Sequence, residues 1–218
     1  MIGHPNLKCW WSLNGNYADG SGNGKTLTAN GTISFVAGVT GTAASGNFGS
    51  SNWLSHTSIL ATPIGTSDFT VSVWFKKATP PTADFGPCIL DIGVPDRSTT
   101  IRLAAGKTTG YASFLTYNAG EYPASSTVNI CNDNWRHLCG VRIGATLFLY
   151  VDGVLVATAS GAAHNITASN FRVGQDGAGA YDVLGPATVE DIQVYTNFGA
   201  GLSDIKRIRQ GKHPLSRS

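Results

Sequence analysis

Charge is scarce in this sequence: Asp, Glu, Lys and Arg make up 13% of 218 residues, against roughly 25% in an average soluble domain. The 15 basic and 13 acidic residues are scattered and leave a net charge of +2, which excludes an electrostatic footprint for nucleic acid or an anionic membrane. Helix formers are also few, with one Met and only two Glu, Glu121 and Glu190. No long window repeats apolar residues at the helical period, so a helical fold is excluded. No window approaches the ~18 apolar residues of a membrane span. Residues 1–11, MIGHPNLKCWW, lack the basic and apolar regions of a secretory signal, so the chain is expected to be made and kept in the host cytoplasm. Four cysteines, Cys9, Cys88, Cys131 and Cys139, match neither zinc spacing nor a dense disulfide framework. They are expected to be reduced core residues, although Cys131 and Cys139 flank the turn Asn132-Asp133-Asn134 within reach of a disulfide.

What is abundant is turn chemistry, with 27 Gly and plentiful Ser and Thr. Between the turns lie short extended segments. In Phe69 to Phe75 the residues Phe69, Val71, Val73 and Phe75 share one face, and Thr70, Ser72 and Trp74 the other. Trp135 to Ile143, Thr146 to Val151 and Val154 to Ala157 form a meander, turning at Gly144-Ala145 and Asp152-Gly153. Weaker strands are expected at Lys8 to Leu13, Ile33 to Val36, Cys88 to Ile92, Thr100 to Ala104, Ala112 to Tyr117, Phe171 to Val173 and Thr188 to Tyr195. About a dozen strands suffice for two packed sheets of roughly six each. Residues 15–31 and 38–52 read as loops of the same domain. One short helix is expected after an N-cap at Ser203, running Asp204 to Ile208 and ended by Gly211. The organisation expected is an all-β domain over residues 1–205 and a basic tail over 206–218 carrying Lys206, Arg207, Arg209, Lys212 and Arg217.

Three groups of segments, in order, resemble the laminin-G-like and pentraxin-like branch of the concanavalin A-like lectin/glucanase superfamily. The first is Trp11-Ser12-Leu13 with the loop Asp19-Gly20-Ser21-Gly22-Asn23-Gly24. The second is Phe69 to Lys76, together with Trp135-Arg136-His137-Leu138 and Leu149-Tyr150-Val151-Asp152-Gly153. The third is Val173-Gly174, Val189 to Tyr195, and Leu202-Ser203-Asp204-Ile205. The resemblance implies an antiparallel jelly-roll sandwich with a short C-terminal helix covering one end of the core. Two positions depart from the family pattern: Glu190 stands for the usual Asp, and Gln193 for the usual Arg.

The resemblance also implies candidate sites. Asp19 with Glu190 or Asp191, supported by carbonyls near Asn23, offers the hard oxygens that Ca²⁺ prefers. The alternative is an Asx turn at Asp19, with the late acid facing water. Glucanases of the superfamily carry an E-x-D-x-x-E strand, which this chain cannot build. Glu190 and Asp191 are adjacent and would point to opposite faces of a strand. The five histidines show no H-E-x-x-H spacing, no G-x-S-x-G elbow is present, and His137 is expected to be packed and hydrogen-bonded. Trp53, Tyr111, Tyr117, Tyr122 and Tyr181 are the rings on which a sugar could stack, with core or rim packing as the alternative for each.

Two non-catalytic functions follow as expectations. One is a structural or decoration protein of a virus particle, a bacteriophage in particular, located on the virion. Its partners would be other virion or capsid proteins or further copies of itself, and the basic tail would serve as a lattice contact. The other is a Ca²⁺-assisted lectin module that recognises cell-surface glycans.

Overall fold

Alternation of apolar and polar side chains is the organising signal, because an extended chain sends successive residues to opposite faces. The computed structural model describes residues 4–49, 51–82, 87–94, 96, 98–177 and 184–214. Among them the strands are, in chain order, β1 Leu7–Trp11, β2 Thr28–Asn30, β3 Ser34–Ala37, β4 Thr42–Phe48, β5 Trp53–His56, β6 Phe69–Lys76, β7 Cys88–Gly93, β8 Thr99–Ala105, β9 Tyr111–Asn118, β10 Glu121–Asn129, β11 Arg136–Ile143, β12 Thr146–Val151, β13 Val154–Ser160, β14 Asn170–Val173 and β15 Gly185–Thr196. The one helix among the described residues, α1, spans Leu202–Ile208.

The strands form two antiparallel sheets. The first runs β13-β12-β11-β6-β15-β4-β3, with β1 also paired to β15; the second runs β10-β9-β8-β7-β14-β5-β2. Phe69, Val71, Val73 and Phe75 of β6 are all fully buried in the layer between the sheets, against Phe114, Phe171, Ile92 and Leu103 of the opposite sheet. Each such side chain contributes about 1.5–3 kcal/mol by leaving water. Asp152 and Gly153 close the β12–β13 hairpin with φ of 53° and 82°, the two positive dihedrals of a type I′ turn.

Several expectations change. The strands missed by sequence are β2, β4, β5 and β10. β4 reads Thr-Ala-Ala-Ser-Gly-Asn-Phe and β10 contains Pro123, so neither carries the β-branched alternation that marks the others. Proline is tolerated because β10 is an edge strand. The helix starts two residues earlier than expected: its N-cap is Gly201, and Asp204 accepts the Gly201 N–H at 3.0 Å instead of Ser203 capping. The expected boundary between domain and tail, at 205/206, falls inside α1. This helix does not close the end of the main core. It lies on the outer face of the first sheet, where Ile205 and Ile208 pack with Leu7, Cys139, Val141, Tyr195 and Phe198 as a second, smaller layer. All four cysteines are buried and none forms a disulfide with another. Cys131 belongs to the inter-sheet layer and Cys139 to the outer one, so the sheet itself separates them.

Candidate functional site

On the face of the second sheet turned away from the core, charged residues line up across neighbouring strands. The register pairs Ser55 with Arg172, Arg172 with Asp91, Asp91 with Arg102, and Arg102 with Leu115. Each charge sits between inward-facing apolar neighbours: Leu90 and Ile92 flank Asp91, Ile101 and Leu103 flank Arg102, and Phe171 and Val173 flank Arg172. The core thus fixes which way the charges point.

Asp91 is 1% exposed. Its Oδ2 accepts from Thr100 Oγ1 at 2.7 Å and from Arg102 Nε at 2.9 Å, whereas Oδ1, equally buried, has no hydrogen-bond partner. Burial pushes this carboxyl up from its ordinary range, Arg102 and Thr100 pull it down, and Asp176 adds to the rise. A dimple of about 20 Å³, lined by Asp91, Gly93, Val94, Thr100, Arg102 and Gly177, opens over the carboxylate. Its walls depend on two glycines. A Cβ on Gly93 would fall 2.3 Å from Asp91 Oδ1, and one on Gly177 would fall 3.0 Å from Gly93 Cα. Beside it, Arg172 donates to Gln175 Oε1 at 2.6 Å and holds its guanidinium 5.6 Å from the Trp53 ring centroid.

The aromatic candidates divide. Trp53 on β5 and Tyr117 on β9, the partner of Thr100, share the Asp91 face, four strand spacings or roughly 19 Å apart. Tyr111, 39% exposed, lies on the same face at the start of β9. Tyr122 pairs with the inward-facing Thr116, packs against the core and stacks on His164 at 5.0 Å, so its place is at the rim. Tyr181 lies outside the described residues. Sequence reasoning missed Asp91, Arg102 and Arg172, although the pattern apolar-charged-apolar within three short strands of a charge-poor chain was the available signal.

The proposed calcium ligands are occupied by other donors. Asp19 accepts from the backbone N–H groups of Trp10, Ser21 and Lys25 at 2.9–3.1 Å and from Ser21 Oγ at 2.8 Å. Burial raises this carboxyl, but these bonds together carry it below the usual range. Asn23 turns its amide N–H groups, not its oxygen, to the carbonyls of Leu7 and Lys8. Glu190 accepts from the backbone of Val39 and Thr40 and from Thr40 Oγ1. Asp191 accepts from Trp10 Nε1 and Gln193 Nε2. Among the described residues no group of three His, Cys, Asp or Glu is placed to hold a metal ion. A set of carboxylates saturated by N–H donors does not fit Ca²⁺, which needs six to eight oxygen ligands. The Asx turn at Asp19 is present, while the late acids are buried, not exposed to water.

Two further expectations are corrected. Glu190 and Asp191 do not alternate: β15 carries an extra residue between the pairs Glu190–Trp74 and Gln193–Ser72, with Asp191 at φ 48°. This bulge brings both carboxylates to the outer side of the first sheet. His137 is packed, at 5.3 Å from the Trp74 ring, but neither ring nitrogen has a partner. Burial, then the nearby Arg209, pushes it down to about 3, so the imidazole is neutral.

Two antiparallel sheets with an outward-facing polar row and flanking rings define a lectin-like jelly roll. A laminin-G family model, described as the concanavalin A-like lectin/glucanases superfamily, matches residues 48–198, and the chain belongs to that superfamily. No curated protein sequence matches. Among solved structures, the chain is similar to domain 4 of AbnA, a GH43 extracellular arabinanase from Geobacillus stearothermophilus, in complex with arabinotriose. That likeness has 18% identity, a TM-score of 0.75 and coverage of 95% of this chain and 99% of that one. It is similar also to the binding domain of Paraclostridial Mosquitocidal Protein 1 (13%, TM-score 0.75, 92% and 51% covered). The binding domain of botulinum neurotoxin DC in complex with SialylT is a third (12%, TM-score 0.70, 95% and 52%). The chain spans about half the length of these toxin domains. At such identities the likeness establishes the fold alone.

Proposed function

We propose that this domain is a non-catalytic carbohydrate-binding module and that the outer face of the second sheet is its binding surface. The observation that carries the reading is Asp91 Oδ1, a buried carboxylate oxygen without a partner at the base of an open dimple. A buried unsatisfied acceptor is costly, and a sugar hydroxyl is a donor of the right size. Trp53 and Tyr117 supply ring faces on either side, and sugar sites combine such apolar surface with a few placed polar groups. The arabinotriose complex of the AbnA domain supports the reading by analogy of fold. A glycan array followed by calorimetry on the hits tests it: binding lost in Trp53→Ala is expected, and an array without hits would overturn it. A place on a virus particle is the second reading, supported by the charge-poor composition; co-sedimentation of the chain with particles is its test.

A further inference from the structure

We infer that the Asp91 dimple is a socket for a single hydroxyl group, so that the group a sugar inserts there is a neutral hydroxyl and neither a carboxylate nor an ammonium. This rests on the reading of the outer face as the glycan surface and specifies what that face selects. Size is the first ground. A volume of about 20 Å³ accommodates one oxygen atom, since a water needs roughly 10–15 Å³ on the same measure. It is too small for a carboxylate or an acetamide.

Charge is the second ground. Among the described residues, the buried side-chain acceptor left at the base is a carboxylate oxygen, which repels an anionic ligand group. An ammonium group is disfavoured from the other side. Arg102 lines the opening and is bound to the same carboxylate at 2.9 Å, so its guanidinium already occupies the side of the carboxylate that an ammonium would seek. A neutral O–H donor meets neither objection.

Backbone packing is the third ground. Gly93 and Gly177 approach so closely that a methyl group on either would fill the opening. Thr100 and Arg102 anchor the opposite oxygen, so Asp91 keeps Oδ1 directed at the gap. Any larger residue at the two glycine positions removes the socket without touching Trp53 or Tyr117.

Isothermal titration calorimetry with arabinotriose, xylotriose, β-1,4-galactotriose and trigalacturonate, on wild type, Gly93→Ala, Gly177→Ala and Trp53→Ala, tests the inference. The expected result is that at least one neutral trisaccharide binds and that both glycine variants weaken binding tenfold or more. Thermal melting establishes that each variant is folded. A monodeoxy series of the bound sugar supplies a test without any variant: one hydroxyl position is expected to account for a tenfold loss. If Trp53→Ala abolishes binding while the glycine variants and every deoxy sugar bind as before, the surface stands and the socket falls. If trigalacturonate binds and its carboxyl-reduced form does not, so that the carboxylate is the inserted group, the assignment to a hydroxyl falls. If no sugar binds, the reading of the surface falls and the socket with it.

Discussion

The indole N–H of Trp10 donates to the Asp191 carboxylate at 2.6 Å, and this bond ties the first strand to the bulge of the last. Burial outweighs this donor and Gln193, with Glu190 adding to the rise, so the Asp191 carboxyl is pushed up to about 6 from 3.8. A group whose folded pKa is raised holds its proton more tightly when folded. Its stabilising contribution is present below pH 3.8 and is lost as pH rises through about 6. Over that window the loss is on the order of 2–3 kcal/mol. Asp191→Asn is expected to remove this slope. Thermal melts of both proteins from pH 4 to 7 check it: the variant should gain on wild type as pH rises, and a constant difference would contradict the assignment.

Asp19 gives a prediction about metal. Because its oxygens already accept four donors, treatment with a chelator is expected to leave the melting temperature unchanged, and added Ca²⁺ should not raise it. Asp19→Ala should nonetheless destabilise by about 1–3 kcal/mol, through orphaned backbone N–H groups. A rise in melting temperature with Ca²⁺ would show that the loop rearranges to bind it.

Arg142 is fully buried, and its guanidinium donates to the carbonyls of Gly65, Ser67, Ala162 and His164 while lying 4.8 Å from the Phe69 ring. It joins the loop before β6 to the loop before β14. Burial brings its pKa down to about 10, so it stays charged at neutral pH. Replacement by Met leaves several carbonyls unpaired and is expected to cost about 3 kcal/mol or more. Urea unfolding measures it, and a cost below about 1 kcal/mol would mean that water replaces the side chain fully.

Gly174 combines two restrictions. Its φ is 87°, and a Cβ there would lie 2.3 Å from Cβ of Phe48. Gly174→Ala is expected to destabilise by about 2–4 kcal/mol, whereas Gly144→Ala, with φ 56° and open space around it, should cost about 1 kcal/mol. Equal melting temperatures for the two variants would contradict the crowding at Phe48.

The strands of the inter-sheet core were legible because alternation is local: Phe69 to Phe75 announces both its extension and its buried face. The Asp152-Gly153 hairpin was legible for the same reason. Strands made of small or polar residues, such as β4, were not, since nothing in their composition distinguishes them from loops. The candidate site was half legible. Trp53 and Tyr117 were singled out as rings on which a sugar could stack, but Asp91, Arg102 and Arg172 become neighbours only through the order β8-β7-β14, which joins segments 70 residues apart in the chain. The bulge at Asp191 was hidden too, because an inserted residue leaves no mark on hydrophobic periodicity.

The position of β15 has a consequence for biosynthesis. This strand, the last in chain order among the described ones, lies inside its sheet, with β6 along one edge and β1 and β4 along the other. Until residue 196 is available, β1 lacks its partner strand and β6 keeps an open side, so the sheet closes only after β15 has been made. Pairing Leu7 with Tyr195 makes closure a long-range event, and such topologies fold slowly. Nascent fragments ending before β15 would present unpaired sheet edges and depend on chaperones to stay out of aggregates.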